Sequence, residues 1–498
     1  NKFKVNYMNI FNYVLSIINN TLMTLIGIAF TVQVIYVLLF FVKEKKFPEA
    51  KTKHKFAVVI PARNESQVIG DTVKHIMQLN YPKDLYDVFV IADNCTDNTA
   101  QIARDAGAIV IEHFDDNPEH KRVGYALQYA FDIILKEYDN YEAVVRFDAD
   151  NLCNVDYLKY MNDALDSGVK LARGYNNSKN LTQNIVSGVS GLWYIRDCRF
   201  SAHGRKVIKC GQLLVGSGMM FSMDLLKEDG GWNCVSMVED QEFAIKQLYK
   251  GYKADYVSDA IVYDDQPTTI KDNINRHIRI GNGVNKLFWT DGIKCLGKFF
   301  TTFKYTYLDV FLTLLFIPMA VVMCTWLPAY YIYDIVYHLI VGNVAHVLAV
   351  VKVIVYALIF AFIVPFILQA WLVAVLEKKK IGRENCKRLV PTILSFPLFM
   401  IIYAIGITLG VFSKPKWKQI QRNNVVIVDS ENLIGGDNAP VKNNENVDVV
   451  ANTAETVEEN TDVTTKEEDE ISSHVLTEEE KEKLAKLTAE TDIKDDAV

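Results

Sequence analysis

Two carboxylates one residue apart, Asp148 and Asp150, close the run "AVVRFDAD", and a second acidic pair, Glu239–Asp240, heads "VEDQEFAIKQLYKGYK". Hard oxygen donors at the end of an apolar run suit Mg2+ or Mn2+, with phosphate or water in the remaining positions. If the backbone stays extended through the motif, residues i and i+2 face one way and Asp148 and Asp150 converge on one cation. The Glu239–Asp240 pair has two readings. Acidic residues favour a helix N-terminus through the macrodipole, and a carboxylate kept ionised there can act as a general base. Arg276 and Arg279, in "NRHIRIGNG", stand three apart on one helical face, a spacing that lets two guanidiniums clamp a diphosphate.

Weaker signals surround these. "PARNES" sets Pro61, Arg63 and Glu65 at the end of one apolar run, and "IADNCTDNT" sets Asp93 at the end of another. Asp97 in the second is a helix cap. "EHKRVGYAL" places Lys121 ahead of a helix start, whose free amides also attract phosphate. The turn Gly216-Ser217-Gly218 breaks "LLVGSGMMFS", either to admit a flat ligand close to the backbone or to join two buried strands. Trp232 follows two glycines in "GGWNCV".

Positioning such residues requires a scaffold. "FAVVIP", "DVFVIAD", "AIVIEHF" and "AVVRFDAD" are short β-branched runs that alternate with helical patterns between Phe56 and Asp265. That alternation predicts an α/β, doubly wound parallel sheet with ligands beyond the carboxyl ends of its strands. The domain is flanked by apolar segments. Leu22–Val42 carries no charge and is long enough to cross about 30 Å of hydrocarbon. A cleaved leader is not expected, because a long segment precedes it and "KEKK" follows. Lys43, Lys45, Lys46, Lys51, Lys53 and Lys55 then predict a cytoplasmic domain in a multi-pass plasma-membrane protein.

The expected organisation is an interfacial segment over 1–21, a membrane helix over 22–42 and a cytoplasmic domain over 43–268. Amphipathic interfacial helices follow over 269–307, about three membrane helices over 308–412, a basic juxtamembrane segment over 413–424 and an acidic, unstructured tail over 425–498. Three crossings after the domain place the tail on the far side, yet "SKPKWKQIQRNN" is basic and reads as cytoplasmic. Either one segment is re-entrant or "YYIYDIVYHLIVGNVAHVLAVV" supplies a further crossing.

Charge divides the same way. The 498 residues carry a net charge of −7, but residues 425–498 alone hold 21 acidic and 6 basic side chains. The rest is mildly basic, which suits an anionic bilayer or a phosphate-bearing substrate, and no nucleic-acid partner is expected. The tail contains a capping box at Thr477 and Glu480 and is a candidate to bind an unidentified protein. Eight scattered cysteines without a CxxC pair argue against a zinc knuckle or a disulfide framework.

Taken in order, "VVIPARNE", "IADNCTDNT", "HKRVGYAL", "RFDADN", "GSGMMF", "GGWNCVSMVEDQEF" and "NRHIRIGNG" resemble the blocks of membrane-embedded family 2 glycosyltransferases, the group of cellulose and hyaluronan synthases. The resemblance covers about Phe56–Asn285. It implies a GT-A-type domain inserted between transmembrane helices, a UDP-sugar donor, Mg2+ or Mn2+, and a growing polysaccharide as acceptor. Carried over residue by residue, it makes Asp240 the base with Glu239 beside it. Pro61, Arg63, Glu65, Asp93, Lys121, Asp148, Arg276 and Arg279 become nucleotide contacts, and Asp150 with Asp148 the metal ligands. Gly216, Ser217, Gly218 and Trp232 would shape the acceptor site. The chain departs from the family at its Q-x-x-R-W element, where Arg276 replaces Gln and Ile280 replaces Trp. The product implied is a β-glucan made from UDP-glucose, with an N-acetylglucosamine polymer, hyaluronan or a single lipid glycosylation as alternatives. A catalytically inert nucleotide-binding scaffold is the contrasting class, set apart by its indifference to Asp240→Asn.

Overall fold

Apolar side chains that alternate on neither face must be buried on both, and the first strands obey this. A computed structural model describes residues 2–138 and 140–413 of the chain. All seven residues of β1 (Phe56–Ala62) are buried, with Phe56, Val58 and Ile60 in one apolar cluster and Ala57 and Val59 in another. Such continuous burial is the mark of a central strand covered on both faces. β2 (Tyr86–Asp93), β3 (Ile109–His113) and β4 (Ala143–Arg146) complete a parallel set around β1.

The sheet then departs from the expected all-parallel order. It has eight strands, β3-β2-β1-β4-β7-β6-β8-β5, the rest being β5 (Leu152–Cys153), β6 (Leu171–Ser178), β7 (Met219–Ser222) and β8 (Asp255–Asp264). β7 runs antiparallel to both β4 and β6, while β6 and β8 are parallel. The result is a mixed sheet. Pro61 sits in a central strand without breaking it, because the ladder to β4 ends at Val59–Arg146.

Helices α2 (Ile69–Ile76), α3 (Thr99–Asp105), α4 (Val123–Glu137) and α5 (Tyr157–Asp166) pack on the sheet, and α6 (Ile185–Arg196), α7 (Glu239–Tyr249) and α8 (Ile270–Leu287) border its carboxyl-end cleft. Four helical segments are long and apolar enough to cross a membrane: Ile10–Phe41, Tyr305–Ile340, Val344–Leu376 and Val390–Phe412. The first belongs to one continuous helix, α1 (Lys2–Leu38), so 2–21 and 22–38 are not separate elements. Segment 330–351 is not a helix of its own: α9 (Trp326–Ile340) turns at Val341–Asn343 into α10 (Val344–Tyr356), and its halves belong to two of these apolar segments. Residues 414–424 of the basic segment and the whole acidic tail, with its Thr477–Glu480 capping box, lie outside the described residues.

The α/β domain and the apolar helices are joined by charge as well as by packing. Arg205 Nε donates to Asp309 Oδ2 at 2.7 Å, and the Tyr36 hydroxyl donates to Asp309 Oδ1 at 2.5 Å. Arg205 and Asp309 are both buried, so each needs the other. The last apolar helix, α11 (Val390–Phe412), behaves differently from the other three. Thr392 lies against Gly188 of α6, and Asn282 of α8 donates to the Ser413 carbonyl at 2.7 Å. Leu394, Leu398, Ile401, Ile405 and Leu409 form its exposed stripe, while the opposite face is buried against α6 and α8.

Candidate active site

The site is built around Arg146, the last residue of β4, which sequence reasoning passed over. Its guanidinium is buried and donates to Glu239 Oε1 at 2.9 Å and to Asp148 Oδ1 at 3.2 Å. It therefore ties the two acidic motifs into one cluster, bridging 93 residues of sequence between Arg146 and Glu239. Gly216 is needed beside it: a Cβ there would lie 2.8 Å from Arg146 Nη1. The only sequence signal for Arg146 was a cation inside an otherwise apolar strand.

Asp148 and Asp150 do not converge through strand periodicity, because β4 ends before them. They occupy a turn, closed by the Asn151 amide donating to the Asp148 carbonyl at 3.0 Å. Asn151 organises it. Its Oδ1 accepts from the Asp148 amide and the Ser217 hydroxyl, and its Nδ2 donates to Asp264 at 3.2 Å. An Asn directly after a D-x-D is a turn residue by its side-chain chemistry, and that was its signal. Ser217 is buried by this bond, and Gly218, at φ 68°, is a tight turn against β4. The glycine turn thus braces the acidic turn instead of presenting Ser217 and Gly218 to an acceptor. Gly216 alone borders the cleft, and its amide faces Asp240.

Asp264, at the end of β8, joins Asp148 and Asp150. Burial raises its proton affinity most, and Asp150 and Asp148 raise it further against the opposing pull of Arg276. Asp148 and Asp264 are each paired with an arginine, Arg146 and Arg276, and Asp148, whose side chain is 44% exposed, is the one open to a ligand. Hard oxygen donors of this kind suit a divalent cation such as Mg2+ or Mn2+. Arg276 already has protein partners. It donates to Gln266 at 3.0 Å and to Asp264 at 3.3 Å and lies over the Tyr194 ring. Arg279, one turn along α8, is exposed to the cleft and has no hydrogen bond or ion pair among the described residues. Protein crowding and Arg276 lower its pKa, while Glu239 and Asp148 oppose that shift. Of the two arginines, Arg279 is the one available to an anion.

Asp240 is the second residue of α7, and its surroundings oppose the ionising effect of a helix start. Burial, then the charge of Glu239, push its carboxyl up to about 7, against Arg146 and the amides of Gln241 and Gly216. Glu239 is held by Arg146 and buried, so it acts on Asp240 as a fixed neighbouring charge. A carboxylate titrating near neutrality matches the requirement for a general base.

The remaining expected contacts lie around the rim or outside it. Asp93, buried at the end of β2, accepts from His113 and from Asn94 at 2.8 Å each and pairs with Arg63 at 3.8 Å. Asp97 stands one residue before the N-cap, Asn98; its carboxylate accepts from the amide of Thr99, the first residue of α3, and from the amide of Ser66 in the loop after β1. Pro61 is enclosed opposite Ile91 within the sheet. Glu65 lies in the loop after β1, where its amide donates to Thr99. Lys121 is exposed just before α4, beside Arg122, which reaches the Val235 carbonyl of the loop leading to α7. Trp232 does not shape an acceptor site. It is 0% exposed and packs among Phe131, Phe221 and Phe243. The aromatic group that does border the arginines is Tyr194 of α6, whose hydroxyl pKa is raised chiefly by burial. Ile280 is partly buried against the apolar cluster that includes Val238, Leu248 and Val310.

Comparison with known proteins agrees with this geometry. Residues 57–228 match the family described as Glycosyl transferase family 2, and residues 143–376 match Glycosyl transferase family group 2. A probable glycosyltransferase YdaM of Bacillus subtilis is 27% identical over 233 residues, covering 44% of this chain and 52% of that protein. A poly-beta-1,6-N-acetyl-D-glucosamine synthase of Staphylococcus epidermidis is 24% identical over 263 residues, covering 51% of this chain and 61% of the synthase. The alignments thus span between half and two thirds of these relatives. A mannosyltransferase from Pyrobaculum calidifontis, solved with GDP-Man and Mn2+, superposes with a TM-score of 0.50 at 17% identity over 78% of this chain and 97% of its own. Residues 57–376 are thus similar to family 2 glycosyltransferases, in a domain of GT-A-like α/β fold, and the chain has four long apolar helices able to span a membrane.

Proposed function

We propose that this family 2 glycosyltransferase is a membrane-bound, inverting enzyme that transfers sugar from a UDP-sugar to the end of a growing β-linked polysaccharide. The observation that carries the reading is the placement of Asp240 next to Glu239, in the cluster that Arg146 ties to the acidic turn at 148–151, with Arg279 exposed on the cleft side. Asp240 takes the proton of an acceptor hydroxyl as that oxygen bonds to the anomeric carbon. The bond from that carbon to the diphosphate breaks on the opposite face, and UDP leaves with the electron pair. Arg279 faces the charge that develops on the departing diphosphate. Asp150 and Asp148 are the residues to hold Mg2+ or Mn2+, which when bound neutralises diphosphate charge. Tyr194 offers the sugar-stacking face that Ile280 cannot. The six lysines after α1 support a cytoplasmic catalytic domain.

Two donors have support. The Glu239–Asp240 element favours UDP-glucose and a cellulose-like or mixed-linkage glucan. Similarity to the Staphylococcus epidermidis synthase favours UDP-N-acetylglucosamine and a β-linked polymer of that sugar. Purified protein is incubated with each UDP-sugar separately, and the product is sized and digested with linkage-specific glycanases. Long polymer from one donor is the expected result; release of a single glycolipid refutes polymer synthesis. Asp240→Asn should abolish UDP release, and turnover that survives it removes Asp240 from the reaction.

A further inference from the structure

At the far end of the apolar helices lies a side-chain cluster that glycosyl transfer does not use. Asp334 and His338 are one turn apart on α9, and His346 meets them from the first turn of α10 across the tight turn at Val341–Asn343. His346 Nε2 lies 2.9 Å from Asp334 Oδ2, and His338 Nε2 lies 3.7 Å from Asp334 Oδ1. One donor atom from each of the three residues falls within 4.8 Å of the others. The two imidazole rings are 3.7 Å apart, centre to centre. His338 Nδ1 is enclosed and has no hydrogen-bond partner.

We propose that Asp334, His338 and His346 form a binding site for a divalent transition-metal ion of the Zn2+ class. Two imidazoles and one carboxylate, with a remaining position for water, are a common donor set for such ions. Metal–ligand bonds of about 2.0–2.2 Å in a tetrahedron set donor atoms roughly 3.3 Å apart. The two separations, 2.9 Å to Asp334 Oδ2 and 3.7 Å to Oδ1, run to different oxygens of one carboxylate, and with the three donors already within 4.8 Å of one another an ion would draw them together by side-chain rotation.

The position gives the ion a task. The helical run begins at Tyr305, beside the Arg205–Asp309 pair of the transferase side. At about 1.5 Å per residue, Asp334 lies roughly 40 Å further on, beyond about 30 Å of hydrocarbon. The site therefore opens at the membrane face opposite the transferase domain. Segment Val344–Leu376 has little protein around it, only 6% of its apolar window being buried. A metal bridge between α9 and α10 supplies at the hairpin tip the cross-link that side-chain packing does not.

The test uses full-length, tag-free protein in detergent, stripped with chelator, reloaded with Zn2+ and desalted. Elemental analysis should find one Zn2+ per chain, and Co2+ in its place should give visible d–d absorption. His338→Gln/His346→Gln should lose both signals, and Zn2+ should raise the Tm of the parent protein and leave that of the variant unchanged. His346→Gln alone, which leaves α9 intact, should weaken Zn2+ binding at least tenfold while UDP release continues, so a folding failure of the double variant does not decide the matter. Absence of retained Zn2+ in the parent, or retention unchanged in the His346→Gln protein, overturns the proposal. Loss of stability in the variants without any Zn2+ effect on the parent also overturns it, leaving His346 and Asp334 as an ion pair only.

Discussion

Glu239→Gln isolates the electrostatic relation at the centre of the site. In the native protein the Asp240 carboxyl is pushed from 3.8 to about 7, first by burial and next by the adjacent charge of Glu239. Gln keeps nearly the same volume and can still accept from Arg146, but it removes the charge. Arg146, which now shares its field between Glu239, Asp148 and Asp240, then acts more strongly on Asp240. Both changes stabilise the Asp240 carboxylate, so its pKa falls. Burial remains, and the shift is therefore part of the whole displacement, on the order of one unit, or about 1.4 kcal/mol. A general base must be deprotonated, so kcat/KM for UDP release should rise with pH through a limb near 7. That limb should move about one unit lower in Glu239→Gln, measured from about pH 5 to 9 at saturating Mn2+. A limb that stays in place or moves upward, in a protein that still turns over, refutes the assignment of Asp240 as the titrating base.

Other outcomes follow from the same geometry. Asp240 has a folded pKa above its unfolded value, so its contribution to stability is complete below about pH 4 and is lost as pH rises through about 7. Asp240→Asn should accordingly raise Tm at about pH 8 and change it little at about pH 4, read by thermal unfolding in detergent. Arg279→Ala should lower kcat by about 10²-fold with little change in Tm, since the side chain has no protein partner to lose. Arg276→Ala should instead cost about 3–5 kcal/mol of stability, because it strands the Asp264 carboxylate. In sealed vesicles, a maleimide that cannot cross the bilayer should label Ser413→Cys from the same side as the transferase domain and Asn343→Cys from the opposite side. Labelling of both from one side would contradict the path of α11.

The residues readable in advance are those whose partners lie close by or whose type alone names a chemistry. β1 to β4 were legible because strands buried on both faces need continuous apolar sequence. β6 and β8 were not, because "LARGYNNS" and "DYVSDAIVYD" bury polar groups that are paired far away: Arg173 with Asp197, and Asn176 with the Ser217 carbonyl. The same reason hid Arg146 and Asn151, whose roles exist only once β4, β8 and the start of α7 come together. Asp148, Asp240 and Arg279 were singled out by their types, and the fold gathers them around Arg146 and Glu239. Trp232 was assigned to the acceptor site by resemblance, whereas its indole donates to Cys234 and fills the core beneath α4 and α7. Arg276 looked equivalent to Arg279, and only the carboxylate of Asp264 separates their roles.

The conflict between three later crossings and a basic segment at 413–424 turns on α11. Length and composition make Val390–Phe412 a candidate span, yet half of its apolar window is buried, against 6% for Val344–Leu376. Thr392 touches α6, the Tyr403 ring meets Trp193 and His277, Gly406 and Ile407 meet α8, and Ser413 ends on Asn282. On the same helix Phe396 and Tyr403 meet Phe366 and Phe316 of the two preceding apolar segments. α6 and α8 carry Tyr194, Arg276 and Arg279, so α11 joins the elements of the cleft to the apolar helices. If α11 re-enters on the domain's side, the two preceding segments suffice to return the chain there, and the basic sequence "KPKWKQIQRNN" over 414–424 follows on the side its charge favours. If α11 crosses, the Ser413→Cys label is reached from the opposite side. Gly281 and Gly410 hold α8 and α11 too close for any Cβ, so an alanine at either should disturb the seating of α8 and slow turnover.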